Sequence, residues 1–251
     1  MANGCISTER ILNKLDEYLN KNDYDSALKH LLYWLSEAQL SGLGNIELLV
    51  RNELMGLYRK LGKEQEALQC VTAALEKTEE MQIQKQVGAA TTFLNCATVY
   101  KAFNMPQKAL PLFEKAKEIY ESELEPSDSR LGGLYNNMAL ALVDLERYKE
   151  ASELYDKAVS VMSSIEYGML EVAITYLNMA SAKEAEIGLL DAEETISHYL
   201  KKAEQILENF DKRDGYYAFV CEKCASVFGY YGYFNYEKQL IERAKRIYEG
   251  A

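Results

Sequence analysis

Glycine and proline are scarce in this chain, 14 and 3 among 251 residues. That excludes an all-β fold, which needs turn punctuation every few residues. Histidine is scarcer still. His30 and His198 stand apart from each other, with no Ser, Cys or paired carboxylate motif around them of the kind that nucleophilic or metal chemistry requires. Phosphate loops of the GxxxxGK[ST] or GxGxxG form are missing. An enzyme is therefore not expected, and neither is a metal or other cofactor. Positive charge is in deficit: the net charge is −11 and the pI about 4.9, which argues against nucleic acid as a partner. No stretch approaches the ~18 consecutive apolar residues of a membrane span. The opening segment MANGCISTER lacks the charged-then-apolar design of a secretory signal. Five cysteines (Cys5, Cys70, Cys96, Cys221 and Cys224) form an odd, thinly spread set, which fits a reducing compartment better than a disulfide framework. A soluble cytoplasmic protein with no membrane contact is the expectation.

Helix-favouring residues are abundant instead: Ala, Leu, Glu and Lys recur throughout a chain that is 48% hydrophobic. Self-comparison shows a repeat. LYNNMALALVDLERYKEASELYDKAV carries Ala139, Leu142, Tyr148, Ala151, Tyr155 and Ala158. Their spacing of three and four puts them on one face of each of two helices broken near Glu146. The unit before it has Ala97, Tyr100, Ala109, Phe113 and Ala116, and the one before that Tyr58, Gly62, Ala67, Val71 and Ala74. Gly62 falls at the turn, where a residue free to take positive φ closes a helix. The first unit is looser, with Leu15, Tyr18, Tyr24, Ala27, Leu31 and Trp34. The fifth shows Ala180 and then, after a longer connection through Gly188, Leu200 and Ala203. The sixth has Ala225, Phe228, Gly232, Ile241 and Ala244, with Glu237 where an alanine is expected. The last small position recurs as Trp34, Ala74, Ala116, Ala158, Ala203 and Ala244, at spacings of 40, 42, 42, 45 and 41. Pro106 suits the start of a second helix. Pro111 requires either a helix starting near Lys108 or a bend.

This small–aromatic, then Ala–aromatic–Ala pattern resembles the tetratricopeptide repeat, in a long 42-residue form similar to that of kinesin light chains and bacterial peptide-sensing regulators. The resemblance implies an all-α, right-handed α-solenoid of about six antiparallel helix pairs (a tetratricopeptide superhelix). It implies a single array over 1–251, with approximate units 7–42, 46–82, 86–124, 128–165, 168–210 and 214–250. It also implies a protein–protein or peptide interaction scaffold, in which first helices line a concave groove and second helices form the outer wall.

The residues facing that groove follow from register. Two positions before the small residue of each first helix stand Asn13, Glu53, Asn95, Asn137, Asn178 and Lys223. Asparagine is a poor interior helix former, so its recurrence here needs a reason. Either the amides form a ladder that grips an extended or helical peptide, each offering a donor and an acceptor, or each bonds a neighbouring helix and sets the repeat geometry. Arg51, Arg59, Lys60 and Lys101 form a locally basic cluster suited to acidic side chains or a terminal carboxylate, or else a solvated face neutralised by nearby glutamates. Cys221 and Cys224 have the spacing of a metal half-site, but one pair supplies two ligands of four. Their register makes them small core hydrophobes. The last segment is rich in tyrosine and phenylalanine, among them Tyr231, Tyr233 and Phe234. These serve as a self-association or partner-docking surface, or close the last repeat's core with hydroxyls in solvent. The alternatives to a peptide-binding scaffold are a structural subunit that forms a homo-oligomer through this end, and a signalling-peptide receptor.

Overall fold

The computed structural model describes residues 7–165 and 167–250. Cys5, the opening segment and the final Ala251 lie outside the described residues. Among the described residues there are twelve helices and no strand. They are α1 (Thr8–Leu19), α2 (Tyr24–Leu40), α3 (Gly44–Lys60), α4 (Glu64–Glu80), α5 (Val87–Ala102), α6 (Pro106–Glu123), α7 (Ser129–Asp144), α8 (Tyr148–Ser163), α9 (Met169–Ile187), α10 (Leu189–Asn209), α11 (Gly215–Tyr230) and α12 (Phe234–Glu249). No helix among the described residues is long and apolar enough to cross a membrane. The chain divides into two compact units, Met1–Ile119 and Tyr120–Ala251.

The helices pair because the turns between them are short and have one chemistry. Within five pairs a single residue takes the left-handed conformation: Asn22, Gly62, Asn104, Glu146 and Gly232. The next residue's N–H then reaches back to a carbonyl five residues earlier, as Lys63 does to Tyr58 and Arg147 to Leu142, both at 2.9 Å. This six-to-one bond satisfies an end carbonyl that the helix leaves open. Helix starts are capped by Ser7, Asp23, Asp128 and Asp214, whose side chains accept first-turn N–H groups.

The small residues sit where helices meet. Ala27, Ala67, Ala109, Ala151 and Ala192 each occupy the fourth position of a second helix, and all are buried. In α12 that position is Glu237, and α11 accommodates it with Gly229, where a Cβ would collide with the Glu237 carboxylate. In the first unit, α3 packs on α2, α4 and α5. In the second, α9 packs on α7, α8, α10 and α11.

One expectation is corrected, and for Pro111 one of two alternatives is removed. The fifth pair has no long connection: α9 and α10 run on to 19 and 21 residues and reverse on Gly188 alone, at φ 82° and ψ 158°. Its early small position is Ala192 in the first turn of α10. Pro111 lies inside α6, which starts at Pro106 and not near Lys108.

Candidate functional site

In the first unit one face of α3 carries the half-buried Asn52, Glu53 and Gly56 and the exposed Arg59 and Lys60, recurring at three and four positions. Asn52 Nδ2 donates to Thr92 Oγ1 of α5 at 3.2 Å, while its Oδ1 is enclosed without a partner among the described residues. Burial, and then the Asp16 carboxylate of α1, push the Glu53 carboxyl up from its ordinary value. Arg59 is solvent-exposed, yet desolvation holds its guanidinium below the ordinary value. Neither Glu53 nor Arg59 forms a hydrogen bond or ion pair among the described residues. Between them, an ideal Cβ on Gly56 would meet nothing within 4 Å.

The rest of the basic set is dispersed. Arg51 Nε and Nη2 donate to Glu47 Oε1 at 3.0 and 2.7 Å, and Lys77 Nζ lies 3.4 Å from Glu47 Oε2. Burial alone would raise the Glu47 carboxyl, but the Arg51 bonds and the charges of Arg51 and Lys77 hold it below its usual range. The Arg51 charge is thus spent inside the fold. The Lys60 ammonium lies 4.5 Å from the Tyr24 ring centroid, and Lys101 is half-buried near the end of α5. Asn95 is half-buried, and its amide forms no hydrogen bond among the described residues. Asn13 instead lines a cleft of about 610 Å³ with Arg10, Lys14, His30 and Trp34.

In the second unit the amides are partly committed. Asn137 Nδ2 donates to the Gly133 carbonyl one turn back, at 2.8 Å. Asn178 Nδ2 donates to Asn136 Oδ1 at 2.9 Å, joining α9 to α7. Asn136 is buried, and its register counterparts are Asn52 in α3 and Leu94 in α5, so the pattern that could have marked it is broken at α5.

The terminal tyrosines are fasteners. Glu184 of α9 accepts both the Tyr230 and Tyr231 hydroxyls at 2.7 Å, Glu171 accepts Tyr216, and Glu208 accepts Tyr236 at 2.7 Å together with Arg243. Those hydroxyls do not simply face solvent. Phe234 (68% exposed) and Tyr233 line a cleft of about 600 Å³ with Glu204, Glu208 and Gln239. Cys221 and Cys224 are fully buried, and burial raises both thiols, Cys221 to about 11. His30 Nε2 lies 3.0 Å from the Ile11 carbonyl, and His198 packs beside Tyr199. Among the described residues no group of three or more His, Cys, Asp or Glu is placed to hold a metal ion.

Comparison with known proteins bears on this arrangement. A family model described as tetratricopeptide repeat matches residues 47–122, and a second of the same description matches 132–162. No relative among curated proteins matches the sequence. Among solved structures, BtubC (BKLC) from P. vanneervenii is similar with a TM-score of 0.63 at 17% identity, over 81% of this chain and 82% of that one. NprR in complex with its cognate peptide NprX gives a TM-score of 0.63 at 16% identity, over 97% of this chain and 68% of that one. A putative kinesin light chain from Podosopora anserina with nearly identical TPR-like repeats gives 0.52 at 18% identity, over 80% and 94%. At these identities the likeness shows the fold, the all-helical solenoid class.

Proposed function

This chain is a tetratricopeptide-repeat protein, and we propose that it is a non-catalytic scaffold that holds a peptide segment of a protein partner against its first helices. One observation carries the reading: the first helices present polar groups that the fold does not use. Glu53, Arg59 and the Asn95 amide bond to nothing among the described residues, and Asn137 keeps its carbonyl oxygen as an acceptor. Burying such groups against a ligand costs little when the ligand supplies the missing partner. Asn178 contributes by holding Asn136, and Lys60, next to Arg59 in sequence, adds positive charge at the end of α3, as Lys101 does near the end of α5. Arg51 reaches a ligand only by leaving Glu47, and Asn13 serves from its own cleft. NprR, similar in fold, is seen with its cognate peptide, which supports the receptor form of this reading, where the bound peptide is a signal.

Binding to an array of synthetic peptides, for wild type and for Asn95→Ala and Asn137→Ala, tests the assignment. Each variant is expected to weaken the selected peptides by about 5- to 10-fold, the worth of one neutral hydrogen bond. Unchanged binding in both overturns it.

A second reading, self-association through the last pair, rests on Ile241. Its counterparts Leu31, Val71, Phe113, Tyr155 and Leu200 are all buried, whereas Ile241 is 50% exposed beside exposed Phe234. Light scattering is expected to show a dimer that Phe234→Ser, Ile241→Ser converts to monomer. A monomeric wild type contradicts it. Tyr231 is a poor probe because its hydroxyl is tied to Glu184.

A further inference from the structure

The middle of α3 contains a choice that the fold does not explain. Gly56 lies in a helix interior, where glycine is the poorest residue after proline. It has no positive φ, and the space around its missing Cβ is open, so neither turn geometry nor packing calls for it. A glycine without a conformational or packing reason marks a place where something approaches the backbone. Three residues to either side stand Glu53 and Arg59, which places them on opposite flanks of Gly56 and about 9 Å apart along the axis. They do not pair with each other or with any described residue. Burial, and then the charge of Asp16 in α1, disfavour the ionised Glu53 carboxyl, and no cation is bonded to it among the described residues.

We propose that this stretch of α3 is a mixed-charge recognition site. A peptide segment crosses the bare backbone at Gly56, placing an acidic side chain on Arg59 and a basic one on Glu53. The inference rests on the peptide-binding reading above and names the chemistry of the peptide. Arg59 offers a fork that matches a carboxylate, and a lysine or arginine supplies the cation that Glu53 lacks. In an extended peptide, side chains two residues apart point the same way and lie about 7 Å apart, so an acid and a base at that spacing span the glycine with modest reach. Whole-molecule charge agrees: at −11, the chain repels a purely acidic partner and does not repel a balanced one.

The experiment is a degenerate library of short synthetic peptides whose centres read Glu-x-Lys, Lys-x-Glu, Glu-x-Glu, Lys-x-Lys or Ser-x-Ser. Wild type is expected to favour one of the two mixed centres over the neutral centre by about 10- to 100-fold, the range for charge-assisted bonds. Arg59→Ala is expected to lose the preference for the acid and keep that for the base. Gly56→Leu directs its side chain into open space, so its thermal midpoint should equal or exceed that of wild type while mixed-centre binding is lost. Peptides bound without regard to their centre, or Arg59→Ala and Gly56→Leu binding as wild type, overturn the inference alone. Failure of wild type to bind any library peptide overturns the peptide-binding reading and this inference with it.

Discussion

Arg51 and Arg59 lie eight residues apart on one helix and read alike in the sequence, but the structure gives them opposite roles. Arg51 has Glu47 one turn behind it, a spacing that on most helices makes a weak, solvated pair. Here Glu47 is 5% exposed and is also reached by Lys77 of α4. Tertiary packing buries the pair, with Lys77 of α4 and Gln39 of α2 both reaching Glu47, so no local pattern reveals it. Arg59 has no such neighbour and keeps its charge for use. The Glu47 carboxyl is depressed in the folded protein, so its contribution to stability is full above the ordinary carboxylate range. It fades as the pH falls through the lower folded value. Glu47→Gln should therefore cost about 1–3 kcal/mol at neutral pH, with the gap to wild type narrowing in acid. Urea titrations at pH 7 and pH 3 measure this; a gap of constant size contradicts the assignment. Gly56 and Glu53 were equally hard to see as a site, since a helical glycine reads as a blemish and a lone glutamate as surface.

At the scale of the element, the helix pairs were legible because their small residues recur in strict register and each marks a close helix crossing. Ala139, Ala151 and Ala158 are all buried, as that logic requires. Gly62 at the second turn was legible for the same kind of reason. The equivalent turn at Glu146 was located without its chemistry, because a glutamate at φ 59° gives no sequence signal of the left-handed conformation. That conformation costs an L-residue more than glycine's extra freedom does. Glu146→Gly should raise stability by about 0.5–1 kcal/mol, seen as a higher urea midpoint with an unchanged slope. An unchanged or lower midpoint would mean that the helix-end bond from Arg147 to Leu142 is not what holds this turn. The fifth pair escaped the sequence because Gly188 resembles part of a loop. In fact it is the whole of the turn, and the surplus residues lengthen α9 and α10. The same pair anchors the last one through Glu171 and Glu184, so the tyrosine richness of α11 is partly the cost of tying two long helices to two ordinary ones.

For the whole molecule, fold and surface were legible to different degrees. A repeat states its fold many times over, so one degenerate unit does not hide it. The groups that meet a partner are instead defined by what they lack, namely a bond within the fold, and a sequence does not record unused valence. Asn95, Asn137 and Asn178 shared one register in the sequence, yet the structure leaves the first open, commits half of the second, and turns the third toward Asn136. The central claim is that ligand contacts fall on first helices. Its most direct test is to attach a photo-crosslinker to a peptide selected from the array and map the sites of attachment on the protein. Crosslinks are expected on first helices, beside Gly56 on α3 in the first unit or beside Asn137 on α7 in the second. Crosslinks confined to the second helices, or to Phe234 and the outer face of α12, would contradict it.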